Sequence, residues 1–278
     1  MSEYKTFSFE VNGNVAKVTF SNPPINLIDD AMNADLSKLV QMLEADQDLD
    51  VVIFRSDNPE YFLAHFDIAP GPHRVIPSLG AASMKSHLHT RISNLRQVTI
   101  GEIRGRARGA GNEFLLALDM RFASREKAVF GQPESILGLG PGAGGSIRLA
   151  QLMGRGRALE ACLSGDDFDA DTAERYGWIN RALPDSELTG FVNRLAERIA
   201  SFPRTGLASV KSIINRITAP DSATLIDESH RFVADLKNPQ VRERLGWMLR
   251  HGGQTDGELE RNLGGNLARY PEQLDIEP

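Results

Sequence analysis

Two glycine-rich turns, each carrying one glutamate, are the feature that most constrains this chain. One turn reads A-R-G-A-G-N-E at 107–113 and opens an apolar run, Phe114 to Leu118. The other reads F-G-Q-P-E at 130–134 and leads into L-G-L-G-P-G-A-G-G at 137–145, which opens a helix. Glycine allows backbone N–H groups to approach a ligand closely. The turns therefore predict an active site in which a pair of carboxylates works beside exposed N–H groups, as chemistry at a carbonyl requires.

The composition is ordinary for a globular protein and excludes several classes. The 278 residues are 41% hydrophobic and 24% charged, which suffices for a large buried core. A net charge of −6 argues against general nucleic-acid binding but not against an anionic small molecule. Cys162 is the only cysteine, so no intrachain disulfide can form. The N-terminus lacks the features of a signal peptide and no apolar run approaches a membrane span, so we expect a cytoplasmic protein.

Strand and helix patterns alternate through the first two thirds of the chain. Asn12-Gly13 between two alternating segments indicates a hairpin, and the apolar run Val51–Phe54 is typical of a fully buried strand. Continued alternation to about residue 185 favours an α/β core. After Pro184 the pattern is helical, at 188–200, 207–217, 222–236 and 241–249. We therefore predict a core over residues 1–200 that holds the active site, and a helical region over 201–278 for packing or oligomerisation.

The run at 140–145 formally matches the dinucleotide-binding pattern G-x-G-x-x-G. That fingerprint needs a strand directly before it and an acidic residue at the end of the next strand. Pro133 interrupts the preceding segment, and Asp166-Asp167 lie in a turn-like S-G-D-D. The context therefore disfavours dinucleotide binding.

Taken together and in order, these segments resemble the crotonase superfamily, the enoyl-CoA hydratases and isomerases. The similarity rests on 107–119 (A-R-G-A-G-N-E-F-L-L-A-L-D), 130–134 and 137–145, and extends to I-R-L at 147–149, to the A-x-x-A-x-x-x-G-x-x-N pattern at 170–180 and to residues 23–27. The resemblance implies an α/β fold, a crotonase-type spiral of repeated ββα units with a helical C-terminal region. It implies an enoyl-CoA hydratase of fatty acid metabolism, adding water syn across a 2-enoyl-CoA to give a 3-hydroxyacyl-CoA.

The resemblance also assigns roles to individual residues. Glu113 would activate the water, and Glu134 would handle the proton at Cα. Two carboxylates held close together cannot both ionise easily, so an acid and a base can coexist near neutral pH. The N–H groups of Ala64 and Ala110 would form the oxyanion hole, and that of Gly142 would orient the water. Substrate or coenzyme A binding would fall to Asn26, His65, Phe66, Asp67 and Ile68.

No metal and no redox cofactor is implied, since coenzyme A enters as part of the substrate. The expected partner is an acyl-CoA thioester, with neither nucleic acid nor membrane, and the expected assembly is a homotrimer or a dimer of trimers.

Departures from the family pattern leave some questions open. The family usually has A-G-A-D where this chain has A-H-F-D at 64–67, and usually glycine in place of Ala110. Arg104, Arg106 and Arg108 alternate and would share a face in an extended strand. They could meet coenzyme A phosphates or an acidic acyl chain, or form a solvated rim or intersubunit salt bridges. Other functions stay open: double-bond isomerisation, which needs one carboxylate and no water; other crotonase-type acyl-CoA chemistry; and a catalytically silent RNA-binding protein.

Overall fold

The structure is a computed structural model that describes residues 4–69 and 79–272, with the side chains of 79–86 excepted. The ends of the two predicted regions, 1–3 and 273–278, lie outside the described residues. The strands are β1 (Phe7–Asn12), β2 (Val15–Phe20), β3 (Val51–Ser56), β4 (Tyr61–Leu63), β5 (Val98–Ile103), β6 (Arg106–Arg108), β7 (Met120–Ser124), β8 (Val129–Gly131), β9 (Asp167–Asp169) and β10 (Arg181–Leu183).

The helices of the first two thirds are α1 (Asp30–Ala45), α2 (Leu79–Asn94), α3 (Ala110–Leu116), α4 (Gly145–Met153), α5 (Arg155–Ser164) and α6 (Ala170–Tyr176). A 3₁₀ helix, Pro133–Leu137, lies between β8 and α4. The last third contains α7 (Asp185–Ala200), α8 (Arg204–Thr218), α9 (Ser222–Asp235), α10 (Pro239–Arg250), α11 (Glu258–Arg261) and α12 (Leu263–Leu267). The four helices predicted after Pro184 are thus confirmed, and the tail after residue 252 adds two short ones.

Repeated ββα units build two sheets. A six-stranded sheet has the order β1-β2-β3-β5-β7-β10, parallel except for the β1–β2 hairpin, and a four-stranded sheet has the order β4-β6-β8-β9. Each ββα unit contributes its first strand to the six-stranded sheet and its second strand to the four-stranded sheet; the units are β3-β4-α2, β5-β6-α3 and β7-β8-α4. The register places Val51 between Val15 and Val98, so central strands are covered on both faces and read as continuous apolar runs. The α/β fold class with a helical C-terminal region is confirmed.

Aromatic packing between the sheets fixes the helix that carries Glu113. The ring of Phe114 lies 5.6 Å from that of Phe20 and 5.3 Å from that of Phe54, both edge-to-face. All three side chains are almost fully buried, and such contacts add to the free energy of burial by about 0.5–1.5 kcal/mol per pair. Gly111 in the same helix has no room for a side chain, because a Cβ would lie 2.0 Å from the Leu63 carbonyl oxygen. The start of α3 therefore lies directly against β4.

The three alternating arginines do not form a basic stripe. Gly105, with a φ of +70°, makes a turn between β5 and β6, so Arg104 lies outside the strand that holds the other two. Arg104 pairs with Asp185 at 2.7 Å, Arg106 with Glu60 at 2.7 Å, and Arg108 with Asp167 at 2.5 Å. The three arginines are thus paired within the chain, and salt bridges between subunits stay a prediction. Among the described residues, no helix is long and apolar enough to cross a membrane.

Candidate active site

Both glutamates of the glycine-rich turns line one pocket. Its walls come from the loop after β4, the start of α3, the 3₁₀ helix, the turn before α4, and helices α9, α10 and α12. The lining residues are His65, Phe66, Ile68, Gly109, Ala110, Glu113, Pro133, Glu134, Leu137, Leu139, Gly142, Ala143, Phe232, Leu245, Met248 and Leu263. Of the predicted site residues, the structure thus brings together Glu113, Glu134, Ala110, Gly142, His65, Phe66 and Ile68. The part of the wall formed by the 3₁₀ helix and by α9, α10 and α12 is mainly apolar, apart from Glu134.

The Glu113 carboxylate is fixed by backbone donors. Its Oε1 accepts hydrogen bonds from the N–H groups of Ala143 at 2.7 Å and Gly145 at 3.0 Å. The residue is only 3% exposed, so these bonds hold the carboxylate in one position beside the pocket. Oε1 accepts two amide hydrogens and therefore carries no proton itself, and both bonds favour the charged form of the carboxyl group.

A chain of hydrogen bonds orients the Glu134 carboxyl. The Trp178 indole, which can only donate, bonds to Asn112 Oδ1 at 2.8 Å, and Asn112 Nδ2 donates to Gln132 Oε1 at 2.6 Å. Gln132 Nε2 then donates to Glu134 Oε1 at 3.1 Å. Because the indole fixes the direction of every step, Oε1 of Glu134 is the accepting oxygen. Its Oε2, buried and without a hydrogen-bond partner among the described residues, is the oxygen free to carry a proton.

The environment keeps Glu134 protonated near neutral pH. Burial raises the pKa of Glu134 to about 8, and the nearby carboxylates of Glu113 and Glu228 add to that effect. Glu134 is therefore mainly protonated at neutral pH, and it lies in the same pocket as Glu113.

One of the two predicted oxyanion donors lies in the pocket. Ala110 is the first residue of α3, where backbone N–H groups have no partner within the helix, and the helix dipole adds a partial positive charge. Gly109 before it has a φ of +48°, and a Cβ there would lie 2.9 Å from Glu134 Oε1. The glycine thus brings the backbone of this turn close to the acid.

The other predicted donor needs a correction. The N–H of Ala64 donates to the Asn26 carbonyl oxygen at 3.2 Å, and Ala64 does not line the pocket. An amide already bonded inside the fold is not available to a substrate oxygen. The residues of this segment that do reach the pocket are His65, Phe66 and Ile68.

Asn26 and Asp67 also have structural roles in place of the predicted substrate contacts. Asn26 is 1% exposed; its Nδ2 donates to Ser56 Oγ at 2.8 Å, and its Oδ1 accepts from the N–H of Asn22 at 2.7 Å. Asp67 Oδ1 accepts from Gln254 Nε2 at 2.9 Å, which ties the loop after β4 to the C-terminal region. Neither residue lines the pocket.

His65 is held in a buried ion pair. Its Nδ1 lies 2.8 Å from the Phe66 carbonyl oxygen and its Nε2 lies 3.0 Å from Glu260 Oε1. Both partners accept, so both ring nitrogens carry hydrogen. Burial alone would lower the pKa of His65, but the Glu260 carboxylate outweighs burial and raises it. The ring thus serves as a link to α11 and not as a base.

Several residues of the site carried no signal in the sequence. Glu228 on α9 accepts from the N–H groups of Gly144 and Ser146, and the ring of Phe232 lies against Gly142 so closely that a Cβ there would be 2.7 Å from Phe232 Cγ. A glutamate and a phenylalanine on an amphipathic helix look like ordinary surface and core positions. Gln132 could have been noticed, because it lies within the F-G-Q-P-E motif.

Comparisons with known proteins agree with this architecture. The family model described as enoyl-CoA hydratase/isomerase matches residues 10–244. The short-chain-enoyl-CoA hydratase of Clostridium acetobutylicum is 30% identical over 216 residues, covering 77% of this chain and 82% of that protein. The carnitinyl-CoA dehydratase of Escherichia coli K12 is 27% identical over 222 residues, covering 80% and 83%.

A solved structure extends the similarity to nearly the whole chain. A crystal structure of a Streptomyces avermitilis protein, classed as a candidate enoyl-CoA hydratase, superposes with a TM-score of 0.91 at 43% identity, covering 98% of this chain and 99% of that one. Fold and pocket thus define a crotonase-type enzyme. The chain belongs to the enoyl-CoA hydratase/isomerase family.

Proposed function

We propose that this enzyme adds water to a 2-enoyl-CoA thioester and gives a 3-hydroxyacyl-CoA. The observation that carries the proposal is the pairing of two glutamates in one pocket: Glu113, whose Oε1 accepts two backbone N–H groups, and Glu134, whose pKa burial raises to about 8. Hydration needs such a pair, because a base must take a proton from water while an acid supplies one to carbon. The similarity to a Clostridium acetobutylicum protein named as a short-chain-enoyl-CoA hydratase supports the same reaction.

The residues divide the reaction as follows. Glu113 takes a proton from a water, the water oxygen bonds to Cβ, and the double-bond electrons move through Cα onto the thioester oxygen. As that oxygen returns its electrons, Cα takes the proton from Oε2 of Glu134. Both groups line the same pocket, and we propose that hydrogen and hydroxyl add from the same side of the double bond, the syn addition that the family resemblance implies. Exchange with solvent returns Glu113 to its ionised form and Glu134 to its protonated form. Gly142 stays our proposal for orienting the water, since it lines the same pocket.

We propose that the oxyanion formed on the thioester is bound by the N–H of Ala110 and by an N–H of the segment after β4. In that segment the Ile28 N–H donates to the His65 carbonyl at 2.9 Å and the Asp67 N–H donates to the Ile28 carbonyl at 3.3 Å. This pairing directs the Phe66 amide to the opposite side of the chain, and Phe66 lines the pocket. Phe66 therefore replaces Ala64 as the second donor. One such donor lowers the activation barrier by about 3 kcal/mol.

The reaction so proposed requires neither a metal ion nor a redox cofactor, since amide groups stabilise the oxyanion and coenzyme A is part of the substrate. The acyl group that the pocket favours is apolar and uncharged. Beyond the two glutamates the wall is formed by Leu137, Leu139, Phe232, Leu245, Met248 and Leu263. We therefore expect a plain aliphatic enoyl-CoA to be a better substrate than carnitinyl-CoA, which the Escherichia coli relative is named for.

The test separates hydration from isomerisation. The protein is incubated with a 2-enoyl-CoA and, separately, with the 3-enoyl-CoA of the same chain length, and products are identified by mass. The proposal expects a gain of one water on the 2-enoyl thioester. Conversion of the 3-enoyl thioester to the 2-enoyl thioester with no hydrated product would favour the isomerase alternative. Catalytic silence with RNA binding is disfavoured by the paired state of Arg104, Arg106 and Arg108.

We further propose that the chain self-associates through α8. Its Val210, Ile213, Ile214 and Ile217 are 62%, 54%, 50% and 79% exposed and recur at the spacing of one helical face. A contiguous exposed apolar face of this kind is typical of a protein interface. A trimer or a dimer of trimers is the assembly expected from the sequence. Sedimentation at micromolar concentration tests it, and a stable monomer would contradict it.

A further inference from the structure

Helix α9 lies along the glycine-rich turn that holds the proposed base. Glu228 Oε2 accepts from the Gly144 N–H at 2.5 Å, and its Oε1 accepts from the Ser146 N–H at 3.1 Å. Ser229 Oγ donates to the Gly142 carbonyl oxygen at 2.7 Å. The ring of Phe232 covers Gly142. One face of a C-terminal helix thus contacts the turn from residue 142 to residue 146.

Two carboxylates divide the amides of this turn between them. Those of Ala143 and Gly145 donate to Glu113, while those of Gly144 and Ser146 donate to Glu228. Alternate amides of the turn thus face opposite ways, one pair toward the pocket and one pair toward α9. Loss of the acceptor on the α9 side would remove the partner of these two partly buried N–H groups, which costs free energy and weakens the hold on the turn. The position of the Glu113 carboxylate therefore depends on Glu228.

We propose that Glu228 is a positioning residue of the proposed hydration reaction: it holds the turn whose amides fix Glu113, and its charge acts on the proton of Glu134. The proposal rests on the proposed function. Glu228 does not line the pocket, so its action passes through the other two glutamates.

The charged and titratable groups around Glu228 come from five elements. They are Glu113 of α3, Glu134 of the 3₁₀ helix, Arg148 of α4, Cys162 of α5 and His89 of α2, whose Nδ1 donates to the Ala143 carbonyl oxygen at 3.0 Å. Burial raises the pKa of Glu228 to about 7, with a further contribution from Glu113, while the bonds from Gly144 and Ser146 act in the opposite sense. Above that pH the charge of Glu228 favours the protonated form of Glu134.

The experiment measures kcat and KM against pH for Glu228→Gln. Glutamine keeps one accepting oxygen but presents an NH₂ to the second amide, and it has no charge. We expect kcat to fall by about tenfold while KM changes less, because general acid–base catalysis depends on placement. Removal of a negative charge near Glu134 should lower the pKa of Glu134. We therefore also expect the loss of activity at high pH to shift to lower pH, by at least about half a unit.

Asp227→Asn is the matched control. It removes one charge from the neighbouring position, where Asp227 pairs with Arg231 on the exposed side of α9. The control should leave both kcat and the high-pH limb unchanged. If Glu228 only stabilised the helix, Glu228→Gln would lower thermal stability and leave the high-pH limb in place. That result, or an equal shift in the control, would overturn the proposal.

A second variant covers the case in which Glu228→Gln does not fold. Glu228→Asp keeps the charge and withdraws the carboxylate by one methylene, so kcat should fall several-fold with the high-pH limb unmoved. Unchanged kcat in this variant would overturn the proposal.

The failure of the proposed function can be told apart from the failure of this inference. If the wild-type enzyme proves to be an isomerase, the same pH profiles are measured on that reaction. In either case, unfolding gives a readout without turnover. A carboxyl whose pKa is raised in the folded state contributes stability that is lost as pH rises through the folded value. As pH rises from about 4.5 to about 7, the free energy of unfolding should therefore fall less in Glu228→Gln than in the wild type. Equal losses would count against a buried, charge-sensitive Glu228.

Discussion

Gln132 Nε2 donates a hydrogen bond to Glu134 Oε1 over 3.1 Å, and the chain of bonds behind it begins at the donor-only indole of Trp178. Gln132 is fully buried and cannot exchange this partner for water. The bond therefore decides which oxygen of the acid is free to give up a proton. Trp178, Asn112 and Gln132 do not line the pocket, but together they orient the Glu134 carboxyl, which does.

Removing this bond should change the pH dependence of the enzyme. The bond favours the charged form of Glu134, so Gln132→Leu should raise the pKa of Glu134 further and move the high-pH loss of kcat upward. Loss of orientation should also lower kcat by about tenfold. Ser135→Ala, in the same 3₁₀ helix but with its hydroxyl toward Leu163, is the control and should move neither quantity. A downward shift in Gln132→Leu would contradict the assigned direction of the bonds.

The wild-type enzyme should lose activity as pH rises through about 8. In the proposed reaction the acid form of Glu134 is the active form. Because burial raises its pKa to about 8, kcat should be maintained toward neutral pH and fall above it. The measurement is kcat against pH under saturating substrate. A rate that rises through pH 8 would mean that Glu134 acts as a base in the rate-limiting step.

Neither glutamate should be dispensable. Glu113→Gln and Glu134→Gln should each lower kcat by at least about 10²-fold with a modest change in KM, the scale usual for general acid–base catalysis. The double variant should be little worse than the poorer single variant, because the two groups act as a unit. Glu160→Gln, on the exposed face of α5, is the control. Near-normal hydratase activity in either single variant would rule out the two-carboxylate mechanism.

The two rings at positions 65 and 66 should affect substrate choice. Both line the pocket, where the related family usually has hydrogen and methyl, and His65 is also bound to Glu260. His65→Gly combined with Phe66→Ala should change the relative kcat/KM among acyl-CoAs of different size by several-fold. Phe66→Ala alone, which keeps the ion pair, separates pocket size from loop stability. An equal effect on every substrate would show that the rings serve only the loop.

Local patterns predicted most of the fold. The hairpin at Asn12-Gly13 follows from one dipeptide, since Gly13 has a φ of +61°. The central strand at Val51–Phe54 follows from its apolar run, and all four of its side chains are buried. Helices after Pro184 follow from apolar spacing. Such features depend on neighbours in sequence, which the sequence displays.

Features that depend on distant partners could not be predicted. Nothing near Ala64 reveals that its amide is bonded to Asn26, and nothing near Glu228 reveals that α9 returns to the glycine-rich turn. Arg104, Arg106 and Arg108 do not share one face, because Gly105 breaks the strand and each arginine forms an ion pair with a residue distant in sequence. Motif residues predicted the pocket and include Asn112 and Gln132, which orient Glu134, whereas Glu228 lies outside every motif.

The origin of the product oxygen tests the central claim most directly. The enzyme is incubated with a 2-enoyl-CoA in water enriched in ¹⁸O, and the product is analysed by mass. Addition of water with Glu113 as base and Glu134 as acid predicts a 3-hydroxyacyl-CoA that carries one ¹⁸O at C3, formed by the wild type and lost in Glu113→Gln. A product that is an isomeric enoyl-CoA with no ¹⁸O, formed at an unchanged rate by Glu113→Gln, would contradict the account.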